Sequence, residues 1–348
     1  MSKPRSVTIQ DVARACGVSP TTVSLVLNNS SRRISAETRE RVLRYVRETR
    51  YQPSALARGA AVKRLSTIGV LSGFGGSHYL HYSYYLQVLG GVMEYAQARQ
   101  LNLLVLNENL WSGEMSELRL HIDGRCGGLL LIGPREKNQL LPALTERGIP
   151  FVVVGKEKED QAFTCVDVDN RQGAKTVTEY LLRQGHRRIA LFRGSLLGFF
   201  DDERYAGYRD ALSEANLPFD PTLVFDSELS YSEYGGQDMA RQMLRLPPRQ
   251  RPTAIFCGSD QIAYGVLDVF REQGIRVPKD VSLIGFDDER KAAMTDPPLT
   301  TLRQPYETIG ARASQLLIER IEGAESGVQD FLPGELVVRQ SVRSLTVR

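Results

Sequence analysis

Two groups of residues have types and spacings that could do chemistry. The first group is polar and follows short apolar runs in the long C-terminal part of the chain. Ser72 follows residues 67–71, Gly155 and Lys156 follow 151–154, Ser259 and Asp260 follow 253–257, and Asp287 and Asp288 follow 281–285. Arg204 falls in the first turns of the stretch after 188–192. An arginine that faces acceptors and an aspartate that faces hydroxyls make directional, charge-assisted bonds, which suits a polyol. Tyr84 and Tyr85, in a tyrosine-rich stretch with Tyr79 and Tyr82, and Tyr231 offer flat faces on which a sugar ring or a base can stack. The second group is N-terminal: Thr8, Ser19, Pro20, Thr21, Thr22, Ser24, Leu25 and Asn28. Short hydroxyl and amide side chains at a helix start suit base edges and phosphates.

Other chemistry finds less support. His78 and His81 form an HxxH pair, but further metal ligands are not evident. The 73–76 glycine cluster is too loose for a phosphate loop and reads as the rim of a pocket. There is no nucleophile elbow, Walker loop or dinucleotide fingerprint, and no histidine pairs with a plausible nucleophile. The C-terminal part therefore reads as a binding body and not as an enzyme, and no cofactor is expected. By itself Arg204 would read as an ion-pair partner of Asp201 on its own helix; Asp288 reads as a structural cap. The four cysteines, Cys16, Cys126, Cys165 and Cys257, form no CxxC pair and read as reduced, near-core thiols of a cytosolic protein.

These residues need elements to position them. The first fifty residues read as three helices. Thr8 caps the first, with Asp11 three positions on, and Gly17 ends it. Ser19 caps the second, with Pro20 at the first helical position, where its missing N–H costs nothing. Ser35 caps the third, in which Val42, Leu43 and Val46 recur at helical spacing. Helix, glycine turn and helix make a helix-turn-helix, whose second helix lies in the major groove with Pro20, Thr21 and Thr22 on base edges. Ser24, Asn28 and the arginines beyond would serve phosphates. The pattern breaks at Tyr51-Gln52-Pro53, and residues 54–62 form a short hinge of small residues.

From Ser66 the period changes to short β-rich runs alternating with helical stretches: 67–71, 103–106, 127–132, 151–154, 188–192, 253–257 and 281–285. This alternation means parallel sheet with right-handed crossovers. The runs are too many for one small sheet, and 163–170 reads as a crossing between two lobes. Ligands of such sheets bind outside the carboxyl ends of the strands. The expected division is a DNA-binding domain at 1–52, a hinge at 53–65 and a two-lobed body at 66–348.

Charge supports the division. The chain of 348 residues carries a net charge of +3, yet residues 1–64 carry 13 Lys and Arg against 4 Asp and Glu, while the remainder carries 31 against 37. A basic head on an acidic body points to a nucleic-acid partner for the head alone. No run of eighteen apolar residues is present, and Met1–Arg5 lacks an apolar signal region, so a cytoplasmic, nucleoid-associated protein is expected. A secreted or transport-linked sugar receptor is the rival reading; the missing leader and the basic head weigh against it.

The motifs resemble those of a known family. Asp11-Val12-Ala13, Gly17-Val18-Ser19, Thr22-Val23-Ser24, Val26-Leu27-Asn28, Ser35, Thr38-Arg39, Val42, Tyr51 and Pro53 are similar to the DNA-binding head of the LacI/GalR repressors. In the body the resemblance runs through Ile68-Gly69-Val70, Gly185-His186-Arg187-Arg188-Ile189-Ala190, Arg204 with Gly207-Tyr208, Asp280 to Asp288, and Pro298-Leu299-Thr300-Thr301. It covers nearly the whole chain. It implies an all-α helix-turn-helix head joined to an α/β body of two doubly wound parallel-sheet lobes, like a periplasmic sugar-binding protein. It also implies a transcriptional repressor whose hold on double-stranded operator DNA is set by a small effector, a sugar or sugar derivative, between the lobes. A homodimer is expected, since the C-terminus carries no leucine heptads. Arg204 and Asp287 resemble the family's effector-gripping pair, Tyr84 and Tyr85 replace a common Phe-Phe pair, and Tyr231 matches an aromatic ligand contact. With Ser72, Lys156 and Ser259 these are the expected effector residues. Ser54, Ala55, Ala57 and Arg58 match the DNA-contacting hinge. Leu25 stands where many members carry a guanine-reading arginine, Ala60 stands where a leucine usually wedges into the minor groove, and Ser259 replaces a usual asparagine.

Overall fold

A computed structural model describes residues 7–27, 34–49, 51, 67–72, 83–106, 126–133, 139–155, 163–194, 199–229 and 231–345. The chain divides into two compact units, Met1–Leu65 and Ser66–Arg348. Asn28, Lys156, the HxxH pair and the whole 53–65 hinge, with Ser54, Ala55, Ala57, Arg58 and Ala60, lie outside the described residues.

The head contains α1 (Ile9–Ala15), α2 (Pro20–Leu27) and α3 (Ala36–Thr49). Local chemistry sets their starts. Thr8 Oγ1 accepts from Asp11 N–H, and the Asp11 carboxylate accepts from Thr8 N–H, a full capping box. Ser19 Oγ accepts from Thr22 N–H at 3.1 Å, and Ser35 Oγ from Thr38 N–H at 3.2 Å. Gly17, at φ +60°, makes the turn between α1 and α2 in a conformation that glycine adopts without strain. Val12, Val23, Val26 and Val42 meet in a small core with Cys16 and Tyr51.

The body holds two six-stranded sheets. The first lobe contains β1 (Thr67–Ser72), α4 (Ser83–Ala98), β2 (Asn102–Leu106), β3 (Leu129–Ile132), α5 (Leu140–Glu146), β4 (Phe151–Val154) and β5 (Cys165–Val168). The second contains α6 (Asn170–Arg183), β6 (Ile189–Gly194), α7 (Phe199–Glu214), β7 (Val224–Ser227), α8 (Glu233–Leu244), β8 (Ala254–Cys257), α9 (Asp260–Glu272), β9 (Ser282–Asp287) and β10 (Thr300–Arg303). The chain then returns through α10 (Tyr306–Ile321) and β11 (Gln329–Leu332) to the first lobe, and ends with β12 (Glu335–Val337) on the second. Strand orders are β11-β5-β4-β3-β1-β2 and β12-β10-β9-β8-β6-β7. Pairing is parallel throughout except for β10 with β12.

The chain therefore crosses between lobes three times: at Asp169, at Gln304-Pro305 and between β11 and β12. The segment 163–170, read as a crossing, is strand β5 followed by the cap residue Asp169, whose carboxylate accepts from Gln172 N–H at 2.9 Å. Each sheet reverses its strand order once, between β1 and β3 and between β6 and β8, which opens a crevice at the carboxyl ends of those strands. Sequence reading found seven of the twelve strands described here. The five it missed, β5, β7, β10, β11 and β12, are short, and all but β7, on an edge, sit beside or at a crossing. The four cysteines are buried as thiols. No helix among the described residues is long and apolar enough to cross a membrane.

Candidate functional site

In the head, Ser19, Pro20 and Thr21 are exposed at the start of α2, with Ser24 and Leu25 half-exposed along it. The caps sort the expected base readers. Thr8 spends its hydroxyl on the capping box, and the Thr22 hydroxyl lies 2.9 Å from Ser19 Oγ. Thr21 therefore presents the most available hydroxyl of α2. Leu25 is half-exposed and stands outside the head's core cluster, which leaves its side chain available for apolar contact. Arg44 pairs with Glu40 at 3.3 Å and Arg41 with Glu37 at 3.7 Å; Arg47 is exposed in the last turn of α3.

In the body, the carboxyl ends of the strands and the crossings converge on Arg204. This α7 residue is buried, at 6% exposure. Its Nε–H donates to Asn170 Oδ1 at 2.9 Å and its terminal nitrogen to Gly258 O at 2.5 Å. Its guanidinium lies 3.7 Å from the centre of the Phe286 ring and 5.2 Å from that of Phe200. A cation on aromatic faces is stabilised by the ring quadrupole, more so away from water. Among the described residues Arg204 forms no ion pair. Asp201 is not its partner: that buried carboxylate takes Arg193 and the Tyr231 hydroxyl instead.

Asp287 ends β9 at φ +136°, a conformation rare for a non-glycine residue. Strain of this kind, about 1–3 kcal/mol, persists only where surroundings enforce it. Gln304 Nε2 donates to Asp287 Oδ1 at 2.6 Å. Burial raises the Asp287 pKa to about 6, against the opposing pull of Arg204, Gln304 and Tyr306. Desolvation thus lifts this carboxyl well above the usual carboxylate range. Tyr84, in the first turn of α4, meets Tyr306 edge-on at 5.6 Å. Burial pushes its hydroxyl well up, and the charges of Asp167, Arg204 and Asp287 act on it. Groups from both lobes therefore share one electrostatic neighbourhood.

Three expected residues need correction or refinement. Tyr85 is wholly buried in the fold. Successive helical residues point about 100° apart, so with Tyr84 at the site its neighbour turns into the packing. Ser259 is buried, and its hydroxyl oxygen caps α9 by accepting from Ile262 N–H at 3.2 Å. Tyr231 is at the site, but its hydroxyl is bound to Asp201; a side chain at Gly194 would collide with its ring, so the ring lies on that strand end and offers a face, not a hydroxyl. Ser72 is buried at the end of β1. Asp288 is pinned by Arg303 and Arg339, at 2.7 and 2.6 Å, consistent with a structural role.

Sequence reading missed Asp167, Asn170, Phe200, Phe286, Gln304 and Tyr306. A signal existed for two: Asp167 and Asn170 bracket the crossing that had been noticed. The others are brought in only by the fold.

Comparisons with known proteins fit this arrangement. Residues 8–54 match the model for bacterial regulatory proteins of the lacI family, and 178–342 match a periplasmic binding protein-like domain. The ribose operon repressor of Haemophilus influenzae is 33% identical, over 97% of this chain and 99% of its own length. The HTH-type transcriptional repressor PurR of Erwinia tasmaniensis is 35% identical, over 96% of each chain. Among solved structures, a complex of the transcriptional regulator CelR with cellobiose is 30% identical with a TM-score of 0.72, covering 96% of this chain and 99% of its own. The lac repressor dimer bound to operator and the anti-inducer ONPF is 26% identical with a TM-score of 0.83, covering 97% and 100%.

Proposed function

The chain belongs to the lacI family of bacterial regulatory proteins, DNA-binding transcriptional regulators and not enzymes, and from that premise we propose that it represses transcription under the control of a sugar held at Arg204 and Asp287. The observation that carries this reading is a buried guanidinium without an ion-pair partner among the described residues, whose charge acts on a strained, desolvated carboxylate. Arg204 has five N–H donors, of which Asn170 and Gly258 take two. Asp287 supplies an acceptor for hydroxyls, and Tyr84, Tyr231 and Phe200 supply faces. A neutral polyol with an apolar ring face uses all of these.

The head reads DNA through Thr21, with Pro20, Ser24 and Leu25 beside it. The hinge at 53–65 joins it to the body at 66–348 and contributes Ser54, Ala55, Ala57 and Arg58 to the operator. The protein works as a homodimer in the bacterial cytoplasm. Leu86, Met93 and Val105, exposed at 46%, 56% and 53% on α4 and the edge strand β2, supply an apolar face for the second copy.

A thermal-shift screen of neutral sugars, beginning with ribose and cellobiose, tests the effector. A true effector at ~100 times its Kd stabilises the protein by about 2.7 kcal/mol. The same sugar should shift neither Arg204→Ala nor Asp287→Asn. A sugar that stabilises all three proteins equally defeats the assignment of the site.

A further inference from the structure

Arg204 does not stand alone. Its Nε–H is held by the Oδ1 of Asn170, the first residue of α6, which is itself buried at 5% exposure. The other end of that amide donates twice, to Asp167 Oδ2 at 3.0 Å and to Val168 O at 3.2 Å. The partners fix the orientation of the amide: its oxygen must face the guanidinium and its nitrogen the carboxylate. Asp167 is buried in β5 and is also tied to Val168 N–H at 2.8 Å.

The three residues divide between the two lobes. Asp167 sits in the first lobe's sheet, next to β4 and β11. Asn170 begins the helix on the far side of the crossing. That helix is locked to α7, which carries Arg204. A side chain at Gly207 of α7 would overlap the Arg171 carbonyl of α6, and Arg171–Asp210 and Lys175–Glu214 pair across the two helices at 2.6 and 2.7 Å. The Asn170–Arg204 bond therefore lies within one rigid helix pair, whereas the Asp167–Asn170 bond spans the crossing at Asp169.

We propose that Asn170 is a positioning residue that fixes the Arg204 guanidinium for the effector and, through Asp167, ties that guanidinium to the first lobe. Its amide is the one side chain in this chain of bonds that can serve both neighbours, because it alone offers an acceptor and a donor. A ligand drawn to Arg204 then acts on both lobes, and a change at the crossing alters the grip on the ligand. The functional part of this inference rests on the reading of Arg204 as an effector residue; the positioning part does not.

The test begins without ligand. In full-length protein labelled with 15N at arginine Nε, the Arg204 resonance is assigned by its loss in Arg204→Lys, and its Nε–H exchange with solvent is measured. Bonds to charged groups are worth enough to predict about 10- to 100-fold faster exchange in Asn170→Ala. Asn170→Asp keeps an acceptor for Arg204 but sets a second carboxylate beside Asp167, so the same signal should shift and the melting temperature fall. The double variant Asp167→Asn with Asn170→Asp exchanges donor and acceptor and should restore the melting temperature to most of the wild-type level. A protein merely loosened by mutation would show no such recovery. Unchanged Arg204 exchange in Asn170→Ala overturns the proposal, as does a double variant no better than Asn170→Asp. With cellobiose or ribose, whichever stabilises the wild type, Asn170→Ala should weaken sugar affinity about 10- to 100-fold; equal sugar affinity in both proteins overturns the functional part. Failure of the wild type to bind any sugar would count against the sugar reading alone, since the exchange measurement needs no ligand.

Discussion

The head and the body prepare polar side chains for recognition in opposite ways. In the head the bonds that start α2 are local: Ser19 to Thr22 N–H and Ser19 to the Thr22 hydroxyl, three residues apart. The reading residues stay exposed, and their geometry is set by one helix turn. In the body the bonds around Arg204 join residues 34 and 54 positions apart in sequence, and all are buried. A DNA groove brings its own polar edges to an exposed helix, so the head needs only to present a surface. A small ligand must be enclosed, so the body must assemble a complete shell from distant elements, at the cost of burying charge. The difference teaches where each function is vulnerable: the head to single surface changes, the body to changes in the shell.

The largest expected effect breaks the body and leaves the head intact. Arg204→Ala and Asp287→Asn should bind operator like the wild type without effector, if the effector is an inducer, and should require at least about 100-fold more sugar to respond, given two lost charge-assisted bonds per site. If the effector is a corepressor, both variants bind operator poorly at sugar levels that saturate the wild type. Operator titrations with and without sugar separate these outcomes, and wild-type sensitivity in both variants would remove the pocket from the account.

A smaller effect, about 1 kcal/mol, sharpens the reading of the head. Thr21→Ala should change base preference in a randomised operator library, whereas Thr22→Ala should act mainly by loosening the start of α2, because its hydroxyl is already paired with Ser19. Arg47→Ala should weaken all operators alike and lower the salt slope by about 0.9. Equal changes of preference for Thr21 and Thr22 would show that the cap does not partition their roles.

The smallest effect on recognition comes from the acidic side of the site, where only stability should respond. Glu289 accepts from Gln261 Nε2 at 2.7 Å, and burial, with Asp287 adding to it, raises its pKa from 4.5 to about 7. Between those values the folded protein binds more protons than the unfolded chain, so this group lowers stability as pH rises, and the full cost is felt above pH 7. Glu289→Gln keeps an oxygen for Gln261 and should stabilise by about 1–2 kcal/mol at pH 8, with no gain at pH 4. Denaturant melts at the two pH values decide it; a gain at pH 4 equal to that at pH 8 would mean that packing and not charge is responsible.

Much of this molecule was determined by its sequence alone. Helix starts at Thr8, Ser19 and Ser35 follow from bonds between residues three apart, and the seven apolar strands follow from runs that only a sheet buried on both faces accommodates. The basic head and the motifs around Arg204 and Asp287 carried the family and singled out the two residues proposed to hold the effector. Tertiary structure decided the rest. Residues 165–168, Cys-Val-Asp-Val, read only as part of a crossing, and it is the fold that flanks them with β11 and β4 as a strand and lets Asn170 satisfy Asp167. Tyr84 and Tyr85 are alike in sequence, and only packing sends one to the site and the other into the interior. Arg204 had a plausible partner three residues away in Asp201; the fold gave that carboxylate to Arg193 and Tyr231 and turned the guanidinium toward Asn170, Gly258 and Phe286. Local bonds are fixed by spacing, because the backbone brings i and i+3 together in any helix. A buried shell is fixed by which distant elements pack, and spacing along the chain carries no record of that.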